Sequence, residues 1–579
     1  MHEFTPRVRT LQVMRGDPHE RVRLALERIR PHRQRWTETL LLAGITGIAT
    51  GLAVAAFDAV TADLLLDHVR ALPTLLLAGM PAVGLLLAWA ALRWLGNGAT
   101  PSTSDEYIRN FHERDRSMDL RPFPARVAAS VATLGFGGAM GFEGPSIYLG
   151  ASIGTALHRR FRRVFSVEDT KLLLAVGAAA GVAAIFKTPL TGALFAIEVP
   201  YQQDQARRVA LPALIGASTS YVTFVLLRGA APLIPVSGSP GFDVPDLLGA
   251  LAVGMLCGAG ARAFVWLVGR AKDLQSRLPW WVTIVSAAVV LGALVPITVS
   301  LYDTPLSIGP GYGVIAWVEQ PSLGVGLLAA LFVFRALATT TTIAGGGAGG
   351  TFIPLVVQGS ILGRLVAAMA GITQVTLLPL VGAAAFLGAG YRVPIAAVVF
   401  VAESTGRPGF IVPGVIATVV AQLFMGNASI TPYQVRMRGG HIEQRLRLPV
   451  SSAVRTDWHP LDADAALDAS VDAAFVRART LSLPVLDDGR YVGIVRLADV
   501  AAAHTGEPGG RVRDLAVDAP ITEPSMTLLH AVTEMDTYEV DMLAVADGER
   551  IIGVVTRDDA LRLHEIVARR DERDDDTRP

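Results

Sequence analysis

Residues 141–145 read Gly-Phe-Glu-Gly-Pro, and this motif lies between two apolar stretches, 127–140 and 147–157. A carboxylate at membrane depth is energetically costly, so Glu143 is by default a functional residue. Pro145 suits the first turn of a helix, and the unpaired N–H groups and dipole of a helix start attract anions. The Glu143 carboxylate can itself fill that anion site, and protonation or rotation of the side chain would vacate it. The motif therefore predicts a gate in an anion pathway.

The rest of the chain has the composition of a polytopic membrane protein with a soluble tail. Of its 579 residues, 51% are hydrophobic and 18% are charged, against roughly 25% charged in soluble domains. Apolar stretches recur between residues 40 and 425. Several exceed the ~20 residues that span a bilayer, and others are short and interrupted by Gly or Pro, as in helices that line a substrate cavity. An all-α fold with broken helices is predicted; the alternative is a set of long helices with ordinary kinks.

Charge and cysteine content exclude several other classes of protein. Residues 1–36 are rich in arginine and precede the first apolar stretch, which predicts a basic cytoplasmic segment. The equal totals of 51 basic and 51 acidic residues give no support to nucleic-acid binding. The single Cys257 excludes an intrachain disulfide, and no metal-ligand cluster or nucleophile–base pair suggests an enzyme. The prediction is a multi-pass protein of the cell (inner) membrane with both termini in the cytoplasm.

The membrane part contains an internal repeat. Residues 177–189 match residues 382–394 at an offset of 205, and the match continues without a gap to Glu198 and Glu403. A second set of landmarks, the Pro, Gly and Gly at 145, 150 and 154, recurs at 354, 359 and 363. Such duplications in membrane proteins are often inverted, with the substrate site at the interface of the two halves. The alternative is chance similarity among Ala- and Gly-rich helices.

The second half has a Gly-rich segment of its own. Residues 345–354 read Gly-Gly-Gly-Ala-Gly-Gly-Thr-Phe-Ile-Pro. Glycines let the backbone turn sharply and expose N–H groups, and Pro354 can open a helix as Pro145 does. The segment is not a P-loop, because no Lys-Ser/Thr pair follows it. Two helix starts could therefore point at one anion; the alternative is close helix packing through glycines.

These motifs resemble those of the CLC family of chloride channels and proton-coupled chloride exchangers, over roughly residues 37–438. The family's Gly-x-Glu-Gly-Pro motif matches residues 141–145 and makes Glu143 the counterpart of the gating glutamate. Its Gly-x-Phe-x-Pro motif matches residues 350–354. The resemblance implies repeat halves at about 37–230 and 244–438, chloride as substrate, no required cofactor, and a homodimer with one pore in each subunit. It also implies an anion-binding set of Ser102, Phe142, Gly144, Thr351, Phe352, Ile353 and Tyr433.

The chain departs from the family pattern at three places. Ser102 lies in Pro-Ser-Thr-Ser-Asp, where the family has Gly-Ser-Gly-Ile-Pro. Phe142 stands where the family usually has Lys or Arg. Val199 follows Glu198 where exchangers of the family carry a second glutamate as proton acceptor, and valine cannot carry a proton. Glu198 and Glu403 are interpreted as structural residues that pair with basic groups or cap a helix end.

The departure at Val199 favours a gated passive chloride channel over coupled transport. Two alternatives stay open. One is a proton-coupled chloride antiporter whose proton path avoids Val199. The other is a nucleotide-sensing membrane receptor that transports nothing.

The tail is a tandem module. Residues 483–495 recur as residues 543–555, and each copy predicts a strand, an Asp-Gly turn, a strand and a helix. The pattern resembles a pair of CBS domains, here 449–505 and 512–567, which regulate the transport domain in that family. The last residues, 568–579, are highly charged and predicted to be disordered.

The resemblance to CBS domains implies an adenine nucleotide site. In that family a Thr or Ser and an Asp after the second strand bind the ribose and phosphates. The second copy keeps Thr556 and Asp559, whereas the first copy has Arg496 in place of the Thr and retains Asp499. One nucleotide site is therefore expected, with Arg496 a candidate phosphate contact. The alternative is a purely structural dimerisation module.

Overall fold

The chain forms two compact units, residues 1–438 and 439–579. The computed structural model describes residues 18–113, 118–161, 170–234, 236, 243–320, 323–372, 376–436, 446–478, 480–504, 510–548 and 550–562, with side chains from residue 37 onward. Residues 1–17 of the predicted basic segment and the predicted disordered tail lie outside these ranges.

The first unit is built from helices throughout the described part of residues 18–436. In chain order they are α1 (Pro18–Asp58), α2 (Asp67–Arg70), α3 (Thr74–Trp94), α4 (Ser104–His112), α5 (Phe123–Gly135), α6 (Glu143–Phe161), α7 (Thr170–Phe186), α8 (Pro189–Glu198), α9 (Ala210–Arg228), α10 (Val244–Arg277), α11 (Trp280–Tyr302), α12 (Tyr312–Val318), α13 (Val325–Ala344), α14 (Phe352–Met369), α15 (Leu377–Tyr391), α16 (Pro394–Thr405) and α17 (Ile411–Met425). Eight helical segments in the described ranges are long and apolar enough to cross a membrane. The multi-span helical fold is thereby confirmed.

Broken helices occur at matching places in the two halves. α7 ends before Lys187 and α8 begins at Pro189; α15 ends before Arg392 and α16 begins at Pro394. Lys187 and Arg392 both have left-handed backbone conformations, with φ of 57° and 58°. Since a left-handed residue followed by proline cannot continue a helix, each helix is divided at the same repeat position. The prediction of broken helices is confirmed over the alternative of long kinked ones.

Equivalent glycines make equivalent contacts in the two halves. A Cβ atom on Gly150 would lie 1.9 Å from the Gly177 carbonyl oxygen, and one on Gly359 would lie 2.1 Å from the Gly382 carbonyl oxygen. The pair α6 and α7 therefore packs through backbone contact in the same way as α14 and α15. Chance similarity would not reproduce this packing, so the duplication is structural.

Two glutamates cap each other's helices across the repeat. At the end of α8, Glu198 accepts a hydrogen bond of 2.9 Å from the N–H of Ala396 in the first turn of α16. Near the end of α16, Glu403 accepts hydrogen bonds from the N–H groups of Leu190 (3.0 Å) and Thr191 (2.7 Å) in the first turn of α8. A carboxylate at a helix start satisfies unpaired N–H groups and the helix dipole. Because each helix ends where its counterpart begins, the two repeat-related helices run antiparallel, as an inverted duplication requires.

The second unit contains the same α/β motif twice. Its strands are β1 (Leu461–Asp462), β2 (Ser482–Asp487), β3 (Arg490–Arg496), β4 (Met542–Asp547) and β5 (Arg550–Thr556), and its helices are α18 (Ala469–Ala478), α19 (Leu497–Ala503), α20 (Leu528–Thr537) and α21 (Arg557–Arg562). The hairpins β2–β3 and β4–β5 share one register, in which Ser482 pairs with Arg496 as Met542 pairs with Thr556, and both carry an irregularity after the fourth residue of the first strand. The tandem motif predicted from the sequence is confirmed.

Candidate anion site

Two helix starts, one from each half of the membrane unit, meet at Glu143. α6 begins at Glu143 and α14 begins at Phe352. The segments that lead into them are joined by a pair of hydrogen bonds, from the Gly141 N–H to the Gly350 carbonyl (2.9 Å) and from the Gly350 N–H to the Gly141 carbonyl (2.8 Å). The two motifs therefore lie side by side in the structure.

The Glu143 carboxylate lies on the start of the opposite helix. Its Oε1 atom accepts a hydrogen bond of 2.6 Å from the Phe352 N–H, and the Ile353 N–H also donates to the carboxylate. Glu143 is 0% exposed, and its Oε2 atom has no hydrogen-bond partner among the described residues. A buried carboxylate that accepts hydrogen bonds from the N–H groups of a helix start takes the place that a free anion would occupy there.

Two glycines make room for this carboxylate. A Cβ atom on Gly141 would lie 1.9 Å from Glu143 Oε2, and one on Gly350 would lie 2.0 Å from Glu143 Oε1. Both distances are far inside van der Waals contact, so any side chain at either position would occupy the carboxylate's place. We call the space bounded by Gly141, Gly350 and the N–H groups of Phe352 and Ile353 the Glu143 seat.

The other predicted anion-binding residues divide into two groups. Phe142, Gly144, Thr351, Phe352 and Ile353 all lie at the two helix starts and are buried. The Phe142 ring packs edge-on against Phe57 with centroids 6.2 Å apart. Ser102 is half-buried ahead of α4, and Tyr433 is 41% exposed. For these last two residues, an anion contact stays a prediction.

Among the described residues, three hydroxyl side chains form a cluster that was not predicted from the sequence. Tyr391, at the end of α15, is 1% exposed, and its hydroxyl lies 2.9 Å from the Thr351 Oγ1 atom. The Ser104 side chain, 9% exposed, interacts with the same phenol. The sequence signal was available, since the repeat aligns Tyr391 with Phe186, and these two side chains differ only by the phenol hydroxyl. We call Ser104, Thr351 and Tyr391 the hydroxyl cluster.

Val199 lies near the backbone of Tyr391, a member of the hydroxyl cluster. Its side chain is 0% exposed. The Gln434 side-chain amide donates to the carbonyl oxygens of both Val199 and Tyr391, at 2.8 Å each. Through these two hydrogen bonds, Gln434 links the end of α8 to the end of α15.

Comparison with known proteins identifies the family to which this architecture belongs. The family model described as "Voltage gated chloride channel" matches residues 83–426, more than half of the chain. The chain is a member of the CLC family. The CBS domain model matches residues 450–506 and 512–565, so this CLC protein is a multi-pass membrane protein with tandem CBS domains. Its family consists of transporters and channels, not enzymes.

Individual relatives agree with this assignment. The chain is 31% identical over 457 residues to the H(+)/Cl(-) exchange transporter ClcA of Citrobacter koseri, which covers 74% of the chain and 93% of that protein. The crystal structure of a slow cyanobacterial Cl-/H+ antiporter superposes with a TM-score of 0.60 at 23% identity, over 67% of the chain and 94% of that structure. A eukaryotic CLC transporter superposes with a TM-score of 0.56 at 19% identity, over 91% of the chain and 98% of that structure. The two structures show the CLC fold.

The two CBS copies differ at the predicted nucleotide residues. In the second copy, the Thr556 hydroxyl donates to Asp559 Oδ2 (2.6 Å) and Arg455 donates to Asp559 Oδ1 (2.9 Å). In the first copy, the Arg496 guanidinium contacts both oxygens of Asp499, at 2.6 and 3.0 Å. Hydrogen bonding to Asp499 raises the pKa of Arg496. Arg496 is thereby bonded to the aspartate of its own copy, and a phosphate contact by Arg496 stays a prediction.

A cavity lies beside the residues of the second copy. It has a volume of about 1110 Å³, and residues that line it include Arg455, His459, Thr480, Asp541 and Thr556. Its size is that of a site for a nucleotide-sized ligand. A second cavity, of about 750 Å³, is lined by Arg496 and Glu539 among others.

Proposed function

We propose that this CLC protein is a proton-coupled chloride exchanger in which the Glu143 carboxylate is the gate. The observation that carries the proposal is the position of this carboxylate, fully buried on the N–H groups of Phe352 and Ile353. Chloride needs the same N–H groups, so the carboxylate must leave before the anion can bind. Neutralisation by a proton weakens the hold of those N–H groups and of the helix dipole on the side chain. Anion binding is therefore linked to proton binding at one residue.

The relatives support exchange over passive conduction. ClcA of Citrobacter koseri, which the chain matches over nearly its whole length, is named an H(+)/Cl(-) exchange transporter. The gated passive channel is the second candidate, because Val199 replaces the proton acceptor and is buried among apolar groups. A receptor that transports nothing has lost its support, since the family is one of anion transporters and channels.

Uphill proton movement distinguishes the two candidates. Purified protein in liposomes is given an outward chloride gradient without a proton gradient, and the internal pH is followed. An exchanger acidifies the lumen, because chloride that leaves is exchanged for protons that enter, and it does so against the developing proton gradient until the chloride gradient is spent. Chloride flux without any proton movement, in a preparation that collapses the chloride gradient, would show passive conduction and end the exchange proposal.

The hydroxyl cluster is the proposed inner anion site. Its three side chains are buried, they converge on the Tyr391 phenol, and Thr351 also belongs to the segment that forms the Glu143 seat. Hydroxyl O–H groups are neutral donors that can replace the hydration of an anion without trapping it. The homodimer, with one pore in each subunit, and the location of both termini in the cytoplasm stay predictions.

Removal of the Tyr391 hydroxyl should weaken chloride binding. Tyr391→Phe keeps the ring that packs against Phe195 and Phe352, at centroid distances of 5.6 and 6.2 Å, and removes only the donor. Loss of one hydrogen bond to a charged group is worth about 1.5 kcal/mol, so the apparent chloride affinity should fall about tenfold. Isothermal titration with chloride measures it. Tyr433→Phe is the matched control; if it has the larger effect, Tyr433 is the pore phenol.

The CBS tail is proposed to bind one adenine nucleotide per chain, in the cavity beside Thr556 and Asp559. Asp559→Asn should lower the affinity for AMP or ATP at least tenfold, because the carboxylate that would hold the ribose is lost. Asp499→Asn should leave the affinity unchanged, because the first copy lacks the threonine that the second copy keeps as Thr556. Titration of the full-length protein in detergent gives both affinity and stoichiometry. Two nucleotides per chain, or loss of binding in Asp499→Asn, would contradict this assignment.

A further inference from the structure

A titratable side chain lies next to the position at which this CLC chain lacks its proton acceptor. His112 is the last residue of α4, and its Nε2 atom is 2.7 Å from the carbonyl oxygen of Pro200, the residue after Val199. Its ring also contacts the Tyr201 ring, with centroids 5.2 Å apart. The imidazole is therefore bound to the same backbone turn that would present the missing glutamate.

The surroundings of His112 allow it to take up and release a proton. The ring is half-buried, so it has access to both solvent and the protein interior. Histidine is the side chain that ordinarily changes charge between pH 5 and 8. Burial lowers the pKa of His112, the hydrogen bond to the Pro200 carbonyl opposes that shift, and the like charge of the Lys171 ammonium on α7 adds to it. The exposed Arg109 and Glu113 are the charged neighbours on its own segment.

Other acidic groups in this region are already engaged in hydrogen bonds with neighbouring groups. Glu106 on α4 accepts hydrogen bonds from Arg109 (2.9 Å) and Arg126 (3.2 Å). Glu198 accepts from the Ala396 N–H as the cap of α16. The hydrogen bond that positions His112, by contrast, is made to a neutral carbonyl, so either protonation state of the ring can be accommodated.

One short helix connects His112 with the pore. α4 begins at Ser104, whose side chain interacts with the Tyr391 phenol, and ends at His112. From Ser104 to His112 the helix advances by eight residues, or about 12 Å. Water or hydroxyl groups would have to carry a proton over that distance. Tyr107, midway, is fully buried and its hydroxyl donates to the Ala196 carbonyl (2.9 Å).

We infer that His112 is the proton acceptor that replaces the absent glutamate, and that protons pass between His112 and Glu143 along α4. This inference rests on the proposed exchange function. It removes the conflict between Val199 and the exchanger relatives, because the acceptor has moved from the end of α8 to the neighbouring end of α4. Only N–H and O–H bonds are made and broken: the imidazole takes a proton from water at the solvent side and passes it on towards the Glu143 carboxylate, or carries it in the reverse direction.

The test is the number of protons moved per chloride by the full-length protein in liposomes under a chloride gradient. His112→Gln retains an N–H donor for the Pro200 carbonyl but cannot carry a proton, and its proton-to-chloride ratio should fall at least tenfold. His112→Gln combined with Val199→Glu should recover the ratio, because the glutamate returns to the family position. His68→Gln, at an exposed histidine bonded to the Asp63 carbonyl, is the matched control and should couple as wild type does.

The outcomes separate the inference from the proposed function. If wild type moves protons uphill and His112→Gln does so with the same ratio, the His112 assignment is wrong while exchange stands. If His112→Gln loses coupling and Val199→Glu fails to restore it, His112 acts by holding the Pro200 turn, and the acceptor role is rejected. If wild type moves no protons, exchange itself is wrong and the inference fails with it.

Discussion

Replacement of Glu143 by glutamine is expected to give chloride flux that is independent of pH and moves no protons. Glutamine has nearly the same shape as the protonated acid, so it is released from the N–H groups of Phe352 and Ile353 as a neutral side chain. In wild type, flux should rise as the pH falls, because protonation vacates the seat, by up to about tenfold per pH unit for a single proton. In Glu143→Gln it should vary by less than about twofold over the same range, since no proton is bound at the gate.

Flux from chloride-loaded liposomes between pH 4.5 and 7.5 measures this difference. Asp303→Asn, at an exposed residue between α11 and α12, is the matched control because it removes a carboxylate outside both helix starts and outside α4. A Glu143→Gln protein whose flux keeps the pH dependence of wild type would show that the gate lies elsewhere.

Replacement of Gly141 by alanine is expected to block transport. The three nearest atoms to the added methyl group would all belong to Glu143, at 1.9, 2.6 and 2.7 Å, so the methyl group would stand in the seat itself. An anion in that seat would meet the same obstruction. Chloride turnover should therefore fall at least tenfold, which corresponds to about 1.4 kcal/mol, and the loss should persist when Glu143→Gln is also present.

The double variant makes this prediction specific to the anion path. If the methyl group only expelled the carboxylate, Gly141→Ala combined with Glu143→Gln would transport as fast as Glu143→Gln alone, and the seat would lie off the chloride path. Gly79→Ala on α3 is the control, since a Cβ atom there meets nothing within 4 Å and should leave flux unchanged.

The fold of the membrane unit could be predicted from a few spaced landmarks. Pro145 and Pro354 mark the two helix starts, and the repeat offset aligns Gly150 with Gly359. These features are local, because proline and glycine restrict or free the backbone wherever they stand. The hydrophobic periodicity and the Asp-Gly turns of the tail are local signals of the same kind.

The details of the site could not be predicted, because they depend on contacts between residues far apart in the chain. The bond of Glu143 to Phe352 joins residues 209 positions apart, and nothing in either motif states which N–H group the carboxylate meets. Tyr391 was not predicted as a site residue, because it lies in an Ala/Gly-rich repeat rather than in a family motif. Arg496 and Asp499 are at helical spacing, but their ion pair was not predicted. The sequence had instead suggested Arg496 as a candidate phosphate contact.

The question of coupling shows a different limit. Val199 favoured a passive channel, because the sequence offers no carboxylate in its place. The structure brings His112 to the carbonyl oxygen of Pro200, 88 residues later in the chain and next to Val199. Absence of a group at one position in the sequence does not exclude the same chemistry from a neighbouring helix.

The most direct test of the central claim is an experimental structure of the Glu143→Gln protein with bromide in place of chloride. Bromide scatters anomalously, so its position can be distinguished from water or side-chain density. We expect bromide in the Glu143 seat of the variant, bound by the N–H groups of Phe352 and Ile353, and the carboxylate in that place in wild type at neutral pH. An empty seat in the variant, or bromide bound there in wild type beside an unmoved Glu143, would contradict the claim that carboxylate and anion share one site.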